Sequence, residues 1–308
     1  MARKGAALTA RPAPGYLPFS RWLRERYGFP VRKISLSAGF GCPNKDGTIG
    51  GDGCVFCDVN EAGPDPRSIA GLSVAEQLHR QITIFQARHP QPHKFLAYLQ
   101  AGSNTYAPPP RLREVYRAAI SHPDVVSLAV STRPDWLPDE ALDLLRETGG
   151  GLDVWVELGV QSAHDATLIR IRRRHDFAAV EDAVRRAKER GFLVCAHLIV
   201  GLPGETKADL LATAAAMNRL GVDAVKLHPL SVTRGSALET EWRENRLRLL
   251  DEDEYVELAA AFLETLSPHI VVQRLTGSGR PEVHLAPDWT RNLNRVKRRI
   301  EALLCPAQ

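Results

Sequence analysis

Short β-rich runs and helical stretches alternate along most of this chain, and that alternation restricts the fold more than any other feature. Runs at 31–37, 94–100, 125–131, 152–160, 192–200 and 222–228 read as strands. Most precede a stretch with helical spacing. These stretches are 74–88 (with Val74, Leu78, Ile82 and Phe85 on one face), 111–120, 138–147, 165–171 with 177–190, and 207–220. Prolines 108–110 open one helix, and glycines 149–151, 191 and 221 stop others. Six strands separated in this way pair in parallel through right-handed crossovers. An open doubly wound sheet and a barrel both satisfy the pattern, and both collect chemistry at the carboxyl ends of their strands. Beyond the sixth strand come a helix at 251–266, a β-rich piece at 270–275 and a basic helix near 289–304. No low-complexity segment or short-period repeat interrupts the series.

Of the 308 residues, 44% are hydrophobic and 25% charged, which excludes a disordered or fibrous chain. The net charge of +4 is too mild to indicate nucleic-acid binding by itself. No apolar run approaches the roughly 20 residues of a membrane span, so no membrane partner is expected. Met1–Ala6 begins basic but lacks a following apolar core, so no secretory signal is expected either. Cys42, Cys54 and Cys57 cluster while Cys195 and Cys305 stand alone. A disulfide framework spaces its cysteines differently. The cluster points to metal or catalysis in a reducing compartment, with the cytoplasm as the expected location.

The cysteine loop runs Gly41-Cys42-Pro43-Asn44-Lys45-Asp46-Gly47, through Gly50-Gly51-Asp52-Gly53, to Cys54-Val55-Phe56-Cys57. A short turn aims the close pair at one centre, and the glycines let the longer arm return to it. Three thiolates are one short of a structural zinc site or an all-cysteine cluster. An iron–sulfur cluster with one open iron fits the count; zinc completed by a distant histidine or Cys195, and three free thiols, are the alternatives.

Strand alternation places Glu157, Gly159 and Gln161 on one face of the fourth run, Cys195, His197 and Ile199 on one face of the fifth, and Lys226 with His228 in the sixth. Polar groups on a buried face are costly unless satisfied, and a ligand-filled barrel mouth would satisfy them. The plainer readings are an ion pair between Glu157 and Lys226, a hydrogen-bonded core His197, a turn-lining His228, and Cys195 as a small hydrophobe. Arg170–Arg174 and Arg295–Arg299 are dense basic runs, either solvated helix faces or phosphate contacts.

The run Gly39–Cys57 and several ordered pieces downstream resemble the radical S-adenosylmethionine (SAM) enzymes. Those pieces are Ser103–Pro108, Thr132–Asp135, Val156–Ser162, Cys195–Glu205, Lys226–Leu230 and Gln273–Gly277. The resemblance is to a bacterial branch whose core is like the elongator catalytic subunit. It implies an α/β chain with a partial (β/α)6 TIM-type barrel at 31–230, after a leader and short helix at 1–30. A C-terminal extension at 231–308 would pack on the barrel. It further implies a 4Fe-4S cluster on Cys42, Cys54 and Cys57, with SAM on the open iron and an electron donor such as flavodoxin or ferredoxin. By the same resemblance, Gln161 and His197 contact the SAM ribose and Arg173 pairs with its carboxylate. Gly102, Ser103 and Asn104 stand in the turn that meets the methionyl amine, Gly201 opens the adenine segment, and Glu157 joins the cofactor cavity. Lys226 and His228, with Tyr106 as a stacking residue, are the candidates to meet substrate. A tRNA wobble uridine is the expected substrate and a small metabolite the alternative; a zinc-ribbon module or a redox sensor would be a protein of another class. The branch carries Asn and Gly where Arg172 and Arg174 stand.

Overall fold

The computed structural model describes residues 14–57, 64–277 and 279–305. The basic start at Met1–Ala6 lies outside them. Seven strands carry the alternating part of the fold or precede it: β1 (Leu17–Pro18), β2 (Val31–Leu36), β3 (Lys94–Leu99), β4 (Val125–Thr132), β5 (Asp153–Gln161), β6 (Leu193–Val200) and β7 (Ala224–Pro229). The C-terminal part adds β8 (Val232–Thr233), β9 (Val271–Arg274) and β10 (His284–Ala286). Eight of them form one sheet in the order β1-β9-β7-β6-β5-β4-β3-β2, and β8 pairs with β10. The pairings of the large sheet are parallel, which makes it the half-barrel expected of a partial TIM fold.

The sheet is wider than the six strands predicted. Ile270, Val271 and Val272 are buried, and an apolar run of this kind needs cover on both faces. It finds that cover by adding β9 beside β7, so the sheet continues into the C-terminal part. The two-residue β1 is too short to leave an alternation signal.

Local signals set the helices. Ser73 with Glu76, Thr206 with Asp209, and Asp251 with Glu254 form reciprocal capping boxes at the starts of Val74–Arg88, Lys207–Leu220 and Glu252–Thr265. Gly221 ends the second of these in a left-handed conformation. The helices cover the outer face of the sheet, where Leu128, Val156, Val194 and Val225 belong to the main core. The inner face is layered. At its floor Trp155, fully buried, meets Phe19 and Trp22 edge-on at 5.5 and 5.2 Å, within a cluster that includes Leu96, Ala129, Cys195 and Val271. The leader helix Phe19–Tyr27 therefore closes the bottom of the half-barrel, and polar side chains begin one layer above.

Candidate active site and metal centre

Two residues along β5 from Trp155, Glu157 is 1% exposed and anchors a charged layer. Its carboxylate accepts from Lys226 Nζ, from His197 Nε2 at 2.8 Å and from Lys33 Nζ at 3.4 Å. Lys33 also donates to Gln273 at 2.9 Å, and both lysines lie over the Tyr98 ring. Burial alone would raise the Glu157 pKa, but the lysines and His197 hold it well below the usual carboxylate range. Burial and the Lys226 charge push His197 down to about 4, so its ring is neutral near pH 7. A neutral ring that donates from Nε2 to a carboxylate keeps a lone pair on Nδ1. Lys226 thus stands as the partner of Glu157, the plainer of the two readings, and Cys195 is buried within the floor cluster.

Above this layer the cysteine loop folds over the strand ends. Asn44, 1% exposed, donates to the Arg172 carbonyl at 2.8 Å and lies 3.4 Å from Cys54 Sγ. Gly102, at φ +67, lets the turn after β3 press against the loop. A Cβ there would fall 2.2 Å from the Phe40 carbonyl oxygen, so only glycine fits. Arg173 is buried between two exposed arginines that both adopt positive φ, 55° at Arg172 and 61° at Arg174. Its guanidinium donates to the Gly159 carbonyl and to Cys54 Sγ, the latter at 3.3 Å. Gly159 carries no side chain where a Cβ would lie 3.0 Å from that guanidinium.

The thiols respond to this setting. Burial raises Cys54, but the charge and hydrogen bond of Arg173 outweigh it and bring the thiol below its ordinary value. Cys57 is pushed up to about 12 by burial and by the neighbouring Cys54. Three thiolates together therefore need a cationic centre. Among the described residues the metal-ligating trio gathered within 4.8 Å is Glu157, Cys195 and His197, so at least one pair of the three loop sulfurs lies farther apart than that. A single tetrahedral zinc holds its sulfurs about 3.8 Å apart. A polynuclear cluster can bridge the wider pair, and three thiolates leave one of its irons open. The compact trio is no ion site, because two lysines already engage Glu157.

The predicted residues do not all converge. Cys42, Cys54, Cys57, Gly102, Glu157, Gln161, Arg173, His197, Lys226 and His228 line one cavity of about 240 Å3. Ser103 and Asn104 are fully buried with their side chains turned elsewhere: Ser103 bonds Thr132 at 2.9 Å, and Asn104 bonds backbone carbonyls. Tyr106 sits outside the cavity, bonded to Thr48 at 2.7 Å and edge-on to Trp136. Gly201 faces Leu250 and does not line the cavity. Lys33, Tyr98, Asn44 and Arg274 were not predicted. Strand parity would have found Lys33 and Tyr98. The run at Arg295–Arg299 is largely matched by acids, with Arg295 and Arg299 both on Glu252. A larger outer chamber, about 600 Å3, shares Cys57, Gln161, His197 and His228 with the inner cavity.

A parallel half-barrel with a three-cysteine loop over its strand ends, and a polar cavity beneath, defines an iron–sulfur enzyme of the TIM-like class. The sequence matches the Radical SAM superfamily over residues 37–217 and the Radical_SAM C-terminal domain over 222–304. The chain belongs to the radical SAM superfamily, whose cofactors are a 4Fe-4S cluster and SAM. It is 42% identical to Protein YhcC of Escherichia coli over 271 residues, which cover 88% of this chain and 86% of that protein. It is 28% identical over 136 residues to tRNA uridine(34) acetyltransferase of Methanocaldococcus infernus, covering 43% of this chain and 25% of that protein. Its fold is like that of the archaeal Methanocaldococcus infernus Elp3 with an N-terminal deletion. The TM-score is 0.67 at 17% identity, over 89% of this chain and 63% of that one. Among the described residues no helix is long and apolar enough to cross a membrane.

Proposed function

We propose that this radical SAM enzyme modifies RNA, with a tRNA wobble uridine as its substrate. The observation that carries the reading is the pair of joined cavities. One lies under the cysteines, and the larger is reached past Gln161, His197 and His228. The partial likeness to a tRNA uridine(34) acetyltransferase supports the substrate class. When bound on Cys42, Cys54 and Cys57, the cluster with SAM would supply radical chemistry for removing a hydrogen atom from substrate. Arg173 orients the SAM carboxylate through a charge-assisted hydrogen bond. His197, fixed by Glu157, presents Nδ1 to a ribose hydroxyl. Gln161, at φ +71 beside a register shift in β5, turns its amide toward the same space. His228 faces the outer chamber and meets the substrate there, while Lys226 holds Glu157 in place. A flavodoxin- or ferredoxin-like donor supplies the electron, and the cytoplasm suits both donor and RNA.

Nucleoside profiling of tRNA from a deletion strain tests the reading. A lost or truncated uridine modification is expected. An unchanged profile, together with tRNA that fails to stimulate SAM cleavage, overturns it. The small-metabolite reading draws on the mild net charge of +4 and on the acid-matched helix Leu293–Leu304. It predicts no salt-sensitive RNA binding.

A further inference from the structure

Among the described residues the two cavities are lined by six cations, Lys45, Arg133, Arg173, Lys226, Arg274 and Arg280, and by one carboxylate, Glu157. Most of that charge has a stated neighbour. Lys226 holds Glu157, Arg133 donates to Asp135 at 2.9 Å, Arg173 lies on Cys54, and Lys45 covers Gly53 in the cysteine loop. Arg274 differs. It makes no ion pair with any described carboxylate, and it lines both cavities where β9 leaves its register with β7. A cation at a cavity wall without an acidic partner is a place for an anionic ligand group.

The wall around Arg274 is shaped for one. A Cβ on Gly277 would lie 3.1 Å from Arg274 Nη1 and 3.3 Å from His228 Nδ1, so the missing side chain leaves a space that both residues border. His228 Nε2 and Thr233 Oγ1 are buried without a hydrogen-bond partner, and both residues line the outer chamber. The Arg274 fork and His228 Nδ1 border this space, and a guanidinium beside an imidazole matches the oxygens of a phosphate, while the orphaned His228 Nε2 and Thr233 Oγ1 lie within the wall behind them.

We propose that Arg274, with His228, binds a phosphate group of the substrate in the outer chamber. The inference rests on the nucleotide reading above and sharpens it, because it fixes the end of the substrate that the C-terminal part grips. A phosphate held there brings its nucleotide to the chamber shared by Gln161 and His197.

The test is calorimetric titration of the cluster-loaded, SAM-saturated enzyme with uridine 5′-monophosphate, uridine, inorganic phosphate and succinate. The monophosphate should bind more tightly than uridine, and phosphate should compete with it. Arg274→Gln should weaken the monophosphate by about tenfold or more, the loss of a charged hydrogen bond, with little change for uridine. Arg274→Lys, which keeps the charge but loses the fork, should fall between, and it carries the test if the glutamine variant loses its cluster absorption. Equal binding by wild type and both variants overturns the proposal. So does Arg274-dependent binding of succinate without binding of either phosphate. Arg274-dependent monophosphate binding alongside an unchanged tRNA profile would leave the phosphate site standing and refute only the RNA reading.

Discussion

Glu157→Gln removes the one acid from a buried layer that contains two lysines. The carboxylate is 1% exposed, and its partners Lys226 and Lys33 have side chains 5% and 28% exposed. Breaking a buried ion pair from one side strands the other charge, which costs about 3–5 kcal/mol. At about 2.1 cal/mol/K per residue, a chain of 308 residues has an unfolding entropy of about 0.65 kcal/mol/K. The melting temperature should therefore fall by about 5–8 °C, read by scanning calorimetry of the cluster-free protein. Adding Lys226→Met should recover part of the loss, since the stranded charge is then gone. A fall under 2 °C, or a double variant whose loss equals the sum of the single losses, would refute the pairing. The carboxylate also sets a pH dependence. Its folded pKa lies below the unfolded value of about 4.3, so its contribution is present above that value and is lost as pH falls through the folded pKa.

Any single alanine at Cys42, Cys54 or Cys57 should abolish the visible iron–sulfur absorption and SAM cleavage, while Cys195→Ala and Cys305→Ala keep the colour; a coloured, active Cys54→Ala protein would remove the assignment. Arg173→Ala should weaken SAM binding by about 10- to 150-fold, and Arg172→Ala, at an exposed position, should cost far less in the same titration. His197 is neutral in the fold down to about pH 4 but takes a proton in the unfolded chain below about 6.5. Stability should thus fall by up to about 1.4 kcal/mol per pH unit across that window, and His197→Gln should flatten the slope in chemical denaturation; an unaltered slope would count against the buried ring. Arg172→Asn with Arg174→Gly should raise stability by about 1 kcal/mol or more, because left-handed backbone costs an L-residue about 1–2 kcal/mol that glycine avoids. Equal stability would mean that the two turns carry no strain.

The strands, the helix stops and the cysteine loop were legible because each rests on local chemistry: alternation, glycine in left-handed backbone, and thiol spacing. The face shared by Glu157, Gln161, His197 and His228 followed from parity alone. Parity fails at Arg274. Val271 points to the floor cluster, Val272 to the outer core and Gln273 to Lys33, so Arg274 should face outward. The register shift between Val225 and Lys226 turns it into the cavity instead. No pattern within one strand encodes a shift relative to its neighbour. The direction of Ser103 and Asn104 was hidden for a related reason. Ala101 and Gly102 both take positive φ, and after such a turn the outward or inward sense of the next side chains no longer follows from their order.

Arg173 shows that the site is held by hydrogen bonds and not by the strained residues beside it. The left-handed residues on either side make a tight turn after Asp165–Arg170, and that turn exposes two carbonyls inward. Asn44 donates to the one on Arg172 and Arg133 to the one on Arg173. The guanidinium then spans from the end of β5 at Gly159 to the sulfur of Cys54. One side chain thereby joins the strand that carries Glu157 and Gln161 to the loop that carries the three clustered cysteines. A relaxed turn with Asn and Gly at its flanks supplies the same backbone more cheaply, so strain is not what positions Arg173. The carbonyls held by Asn44 and Arg133 do that. The two flanking arginines add exposed positive charge beside the cysteine loop, where Arg172 lies 3.7 Å from Asp52, and they leave the buried arginine between them unmoved.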